Sequence, residues 1–168
     1  MLHHISIPAR DPAHVATVLA EVLGGRAFPF LGPLPGACSA VAGDEHGTLI
    51  EVYPQHMAID PDVKEGGSPF LALDVPAEEI AARPLAFHAL LSVPLSRGEI
   101  EAIGAREGWK TLYLGRGAPG RTPFFHVIEF WVENHVMLEL ATQEMLAPYL
   151  ATMDMAALQQ RFPKGIER

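Results

Sequence analysis

The chain has 168 residues, one cysteine and eight histidines, and its 12 Lys and Arg against 20 Asp and Glu leave a net charge of −8. A chain of this length buries roughly 70% of the surface it exposes when unfolded, so a core forms without disulfides, and the lone Cys38 reads as a small buried thiol in a cytoplasmic protein. The acidic balance opposes a nucleic-acid partner, whose affinity would come from basic side chains; no apolar run approaches the ~20 residues of a membrane span, and the start Met-Leu-His-His is not that of a secretory leader.

His4 heads a short apolar strand that reaches Pro8, and Asp11 follows as a residue suited to cap a helix. Pro12 fits the first helical position, Val15, Val18, Leu19 and Val22 recur at helical spacing, and Gly24-Gly25 stops the run. Extended stretches are expected over 26–30, 37–42 and 48–53, the last two joined through Gly43 to Gly47. Residues 54–86 read as a linker rich in Pro, Gly and acid, with room for an extra strand over Phe70 to Val75 and a short helix over Ala77 to Ala82. His88 then heads a second apolar strand, Ser96 and Glu99 stand at capping-box spacing, Ile100 and Ile103 share a helical face, and Gly108 is the stop. Extended stretches follow over 110–114, 124–132 and 136–141. Residues 143–161, with Met145, Leu146, Leu150, Met153 and Leu158 among polar positions, predict a C-terminal helix whose methionines are packing residues.

The chain thus repeats itself. Each half reads β-α-β-β-β, module one over 1–53 and module two over 87–141, so the fold class expected is α+β, with curved sheets around one cavity, in a single domain that ends in a helical region over 142–168. Because a strand sends alternate side chains to opposite faces, His4, Ser6 and Pro8 share a face, as do His88, Leu90 and Ser92. Glu51 shares its face with Leu49 and Tyr53, and Glu139 with Met137 and Ala141. The opposite faces are apolar and suited to lie under the helices.

A glutamate in the middle of such a strand is costly to bury unpaired. That arrangement occurs twice, each time matched to a histidine at the head of the module's first strand. A lone strand histidine or glutamate is ordinarily structural or solvated; the doubled pair points instead to a shared divalent cation. Two imidazoles and two carboxylates, from His4, Glu51, His88 and Glu139, suit Zn, Ni, Fe, Co or Mn, with open positions for water or two neighbouring substrate oxygens.

In this pattern the sequence resembles the vicinal-oxygen-chelate superfamily, which includes glyoxalase I, methylmalonyl-CoA epimerase, extradiol dioxygenases, fosfomycin-modifying transferases and bleomycin-binding proteins. The resemblance covers both modules and implies ligands at the start of the first strand and on the last strand of each, the positions of His4, Glu51, His88 and Glu139. His3 competes for the first place, but strand phase favours His4. An acid at both last-strand positions is similar to glyoxalase I. It implies a metal-dependent isomerase, epimerase or lyase, with an enediolate stabilised by the metal and Glu51 or Glu139 shuttling the proton. A homodimer is usual in the superfamily, with its modules paired within or between chains. No glutathione-binding set is recognisable. An Fe-dependent extradiol-type dioxygenase and a metal-free drug-binding module are the competing functions.

Gly115-Arg-Gly-Ala-Pro-Gly120 has the spacing of a dinucleotide loop, but it leads toward another strand rather than a helix, so it reads as a rim loop. Arg116 and Arg121 on that loop are positioned to meet an anionic substrate, though solvated arginines are the more ordinary reading. His126 and Glu129 stand at opposite phases, which leaves one of them to face the cavity, His126 being the candidate acid or base. Trp109, Phe125, Phe130 and Trp131 read as packing residues rather than a substrate cage.

Overall fold

A computed structural model describes residues 2–32, 34–59, 70–82, 87–117, 121–161 and 163. In chain order the first half forms β1 (His4–Ala9), α1 (Pro12–Leu23), β2 (Arg26–Pro29), β3 (Cys38–Val41) and β4 (Leu49–Pro54). The second forms β7 (His88–Ser92), α3 (Arg97–Glu107), β8 (Thr111–Arg116), β9 (Phe125–Val132) and β10 (Val136–Ala141). Between them lie β5 (Met57–Ile59), β6 (Phe70–Ala72) and α2 (Ala77–Ala82), and after them α4 (Gln143–Met153) and α5 (Met155–Arg161). The two sheets have the same order, β1-β4-β3-β2 and β7-β10-β9-β8, each with its first strand parallel to its last and the rest antiparallel. This is the duplicated β-α-β-β-β arrangement of the α+β class expected.

Local chemistry sets the helix ends. The Asp11 carboxylate accepts from the His14 N–H, Pro12 opens α1, and Gly24 closes it at φ 70°, a left-handed position that glycine adopts without strain. Ser96 and Glu99 form the full capping box of α3. The apolar faces behave as their period requires: Ile7, Ile50, Val52 and Ala40 of the first sheet, and Leu138, Leu140, Ile128 and Phe130 of the second, join Val15, Leu19, Val22, Ile100 and Ile103 in one core.

Beside this shared core the halves also meet along a polar seam. Glu133, in the turn between β9 and β10, accepts the backbone N–H groups of Arg10 and Asp11 at 2.7 and 3.2 Å. Arg106 of α3 grips Glu21 of α1 through two bonds, and His14 lies 2.7 Å from Glu107.

Two expectations change. The stretch read as linker holds a small sheet, with β5 paired to β6; the extra strand stops at Ala72, and residues 60–69 and 83–86 lie outside the described ones. The C-terminal helix is two helices, because Asp154 adopts extended backbone and its carboxylate caps the Ala156 and Ala157 N–H groups of α5. No helix among the described residues is long and apolar enough to cross a membrane.

Candidate functional site

In the first half the parallel register sets Leu49 beside His4 and Glu51 beside Ser6, so all four occupy one face of the sheet. His4 Nε2 lies 4.0 Å from Glu51 Oε2, and its ring is more than half exposed. The same Glu51 oxygen accepts the hydroxyls of Ser6, at 2.8 Å, and Tyr53, at 2.5 Å; Oε1 has no protein partner among the described residues. Burial, reinforced by the hydrogen bond to the Glu51 carboxylate, pushes the Tyr53 phenol above its ordinary range, so it stays protonated as a donor. Phe30 and Phe70 hold the Tyr53 ring from two sides in edge contacts at 5.5 and 5.4 Å.

The second half repeats the register, with Met137 beside His88 and Glu139 beside Leu90. Across the sheets the acid-bearing rows read Ser6, Glu51, Ser39, Phe28 in the first half and Leu90, Glu139, Glu129, Leu112 in the second. Two differences decide the electrostatics. Leu90 cannot donate as Ser6 does, and Glu129 sets a second carboxylate beside the buried Glu139. Two adjacent carboxylates in a half-dry place need a cation, and Arg116 at the end of β8 supplies it. Its Nε donates to Glu139 Oε1 at 2.8 Å and its Nη2 to Glu129 Oε1 at 2.8 Å, with a further short contact from Nη2 to Glu139 Oε1. The Trp131 indole donates to Glu129 Oε2 at 3.1 Å. Burial alone would raise the Glu129 pKa, but the bonds from Arg116 and Trp131 outweigh it and hold the carboxyl below its usual range. Burial likewise opposes the charge on Arg116, and the two glutamates outweigh it, holding the guanidinium above its ordinary value. His88, Arg116 and Glu139 line an open cleft of about 470 Å³ that also meets Phe125 and, from α4, Tyr149 and Met153.

The structure therefore brings His4 to Glu51 and sets His88 and Glu139 on one cleft, but among the described residues of one chain no three His, Cys, Asp or Glu side chains gather closely enough to hold a metal. Arg116 is not a solvated rim arginine: its side chain is 29% exposed and paired. Arg121 is exposed, and 118–120 of the rim loop lie outside the described residues; the next element is β9, in keeping with the rejection of a dinucleotide loop. His126 is on the helix side, stacked on Tyr113 at 4.9 Å, and Glu129 takes the cavity-facing place instead. A larger cleft of about 620 Å³ on that outer side, bounded by Arg97, His126 and Thr142, contains none of the four candidate ligands. Of the four aromatics, Trp109 and Phe130 pack in the core, whereas Phe125 and Trp131 serve the acid-bearing face. Ser6 and Tyr53, given no role from sequence, share the face of His4 and Glu51 as strand phase predicts; that Arg116 meets Glu129 and Glu139 needed the register of three strands.

No family model matches the sequence, and neither does any curated protein. Solved structures do match in fold. The fosfomycin resistance protein FosX from Listeria monocytogenes, solved with Mn(II) and sulfate, is 11% identical, with a TM-score of 0.52 over 92% of this chain and 97% of that one. Lactoylglutathione lyase from Agrobacterium tumefaciens is 9% identical over 86% and 94% of the two chains, TM-score 0.49, and FosX from Mesorhizobium loti 13% identical over 89% and 96%, TM-score 0.47. At such identities the likeness is one of fold alone: the chain has the paired β-α-β-β-β, glyoxalase-like fold.

Proposed function

We propose that the chain is a metal-dependent isomerase, epimerase or lyase that works by proton transfer on a small substrate with vicinal oxygens, and that His4 and Glu51 of one chain and His88 and Glu139 of a second copy hold the cation. The observation that carries this reading is the repeated register: each half presents one histidine and one glutamate, two rows apart on adjacent parallel strands, on the face away from α1 and α3, with α4 bordering the second of them. The donors suit the ion. Among the described residues each carboxylate is engaged through one oxygen, which leaves the other for a ligand bond, and two nitrogens with two carboxylate oxygens form a set that Mn, Fe, Co, Ni or Zn accepts. Mn(II) accompanies the Listeria protein of the same fold. The second copy is invoked because one chain does not gather the set. Exposed Phe28, Leu112 and Leu114 on the acid-bearing faces offer apolar surface for a homodimer to cover.

When bound, the cation would polarise the substrate's adjacent oxygens. Glu51 is the better-placed base: its partners are hydroxyls that can turn from donating to accepting as the carboxylate gains a proton, whereas a proton on Glu139 would break an ion pair with Arg116. A metal-free binding module is the second reading, favoured by the ability of Arg116 to balance Glu139 without a metal.

Elemental analysis of protein purified without added metal tests the first reading. We expect a stoichiometric divalent ion, lost in His4→Ala and in Glu139→Gln. Glu51→Gln should cut proton exchange on hemithioacetals and α-hydroxycarbonyl compounds by about 10²–10⁴-fold with an unchanged circular dichroism spectrum. No ion after reconstitution leaves the binding module.

A further inference from the structure

The cleft of about 620 Å³ on the helix side of the second sheet takes no part in the reading above. Two helices open onto it, and their N-termini are finished differently. Ser96 of α3 is tied up in its capping box, its hydroxyl and backbone N–H both donating to Glu99 Oε2 at 2.7 and 2.8 Å. Thr142, the N-cap of α4, makes no side-chain cap bond. The residue is 6% exposed, yet its hydroxyl has no hydrogen-bond partner among the described residues, and neither have the N–H groups of Gln143 and Glu144 that follow it. No fully buried side-chain oxygen or nitrogen among those residues is left unpartnered, so this hydroxyl keeps the little exposure that Thr142 has, and the cleft is what it faces. A buried hydroxyl ordinarily finds a partner. One held open beside two unpaired N–H groups, at the positive end of an 11-residue helix, is arranged for an acceptor that is not part of the chain.

We infer that this cleft binds a small oxyanion carried on an apolar body, an organic phosphate, phosphonate or carboxylate, with Thr142 and the N-terminus of α4 as the anion cradle. Other walls of the cleft suit that ligand. Arg97, the first residue of α3, lays its guanidinium over the Tyr113 ring at 4.1 Å and donates Nε to Glu101 at 2.6 Å, which holds it at the cleft while its Nη groups have no partner among the described residues. The His126 imidazole, stacked on the same ring at 4.9 Å, lines the cleft with both nitrogens likewise unpartnered. Two carboxylates border the site. Glu99 is committed to the capping box, and Glu144 is exposed, where solvent and salt screen it. Leu95, Met145 and Pro148 make much of the remaining lining apolar, so an anion with an apolar body fits better than a bare ion.

Proton–nitrogen NMR of the full-length protein at about 0.15 M salt, titrated with phenyl phosphate, inorganic phosphate and benzyl alcohol, tests this. Phenyl phosphate should move the Gln143 and Glu144 amide protons downfield and bind at least about tenfold more tightly than inorganic phosphate, because it also buries a ring. Benzyl alcohol should leave both amides in place. Thr142→Val and Gln143→Pro, followed at the Glu144 amide, should each weaken phenyl phosphate by about tenfold or more, the loss of one hydrogen bond to a charged group. Neither should lower Tm. The threonine hydroxyl has no partner in the chain to lose, proline is at home at the first helical position, and Thr142, with ψ 167°, already has the extended backbone that a following proline requires. Glu144→Gln should tighten binding by about threefold, since a like charge is gone. Amides that stay put in the wild type, or an affinity unchanged in both variants, overturn the site. Equal binding of phenyl and inorganic phosphate overturns it as well, because a bare helix end attracts any anion. A lower Tm in Thr142→Val counts the same way, since the hydroxyl would then serve the fold. Each outcome leaves the proposed cation centre untouched, because none of its four ligands lines this cleft.

Discussion

At the scale of single residues, the two glutamates show how one position is served by different neighbours. Glu51 rests on hydroxyls and Glu139 on a guanidinium. Tyr53→Phe removes the shorter of the two hydroxyl bonds and should cost about 0.5–1.5 kcal/mol of stability; because that bond would orient Glu51 toward the proposed cation, Mn(II) affinity should fall by about tenfold or more, read by thermal melts and by titration with the ion. Glu129 yields a pH signature. Its carboxyl sits below the ordinary range in the folded chain, so the stability it contributes is fully present above its unfolded value, about 4.5, and is lost as pH falls through the lower folded one. Glu129→Gln should therefore lower Tm near neutrality and flatten the acid decline of Tm below about pH 4.5. An unchanged acid limb would mean that the ion pair with Arg116 contributes nothing. The candidate ligands, and the face shared with Ser6 and Tyr53, were legible because strand phase is written in the sequence with a period of two. The pairing of Glu129 with Arg116 was not, because it depends on how β8, β9 and β10 align, and a turn one residue longer or shorter sends every side chain of a strand to the other face.

At the scale of elements, what could be read were those whose signals are local. Caps, period and stops agree for α1 and α3, and the structure places both ends of each within a residue or two of expectation. Of the small sheet, β6 was expected as the extra strand that starts at Phe70, whereas β5 and its pairing were hidden because three residues are too short to show alternation and the partners lie far apart in the chain. The break between α4 and α5 was hidden because apolar spacing runs straight through Asp154, whose capping preference outweighs it. Packing adds a rule that propensity does not contain. Gly104 lies inside α3, where alanine ordinarily stabilises by up to about 1 kcal/mol; here an added Cβ would lie 2.0 Å from Thr111 Oγ1 and 3.2 Å from the Trp109 carbonyl oxygen. Gly104→Ala should thus destabilise by about 1–3 kcal/mol, since α3 must lift off β8. Gly98→Ala, in the same helix with open space around it, should be neutral or stabilising. Denaturant unfolding of the two variants separates the effects; equal responses would show that α3 is not seated against β8 as described.

At the scale of the whole molecule, the seam decides where a four-ligand centre can form. Glu133 docks the β9–β10 turn onto the start of α1, and Arg106 with Glu21 ties the helices together. The halves are thus joined through one apolar core, their helices and one turn, while no third ligand joins either His–Glu pair among the described residues of one chain. If a second copy completes the centre, each site takes the first half of one chain and the second half of the other, and a twofold dimer holds two such sites. This has a consequence that no within-chain centre shares. The double variant His4→Ala, Glu51→Gln and the double variant His88→Ala, Glu139→Gln should each bind no Mn(II) as homodimers. When the two are unfolded together and refolded as an equal mixture, about half of the dimers are mixed, and each mixed dimer contains one site built wholly from intact halves and one built wholly from altered halves. Roughly a quarter of the wild-type sites should then return, in a species that sedimentation identifies as a dimer. A centre built within one chain recovers nothing under the same treatment, because every chain in the mixture carries one damaged half.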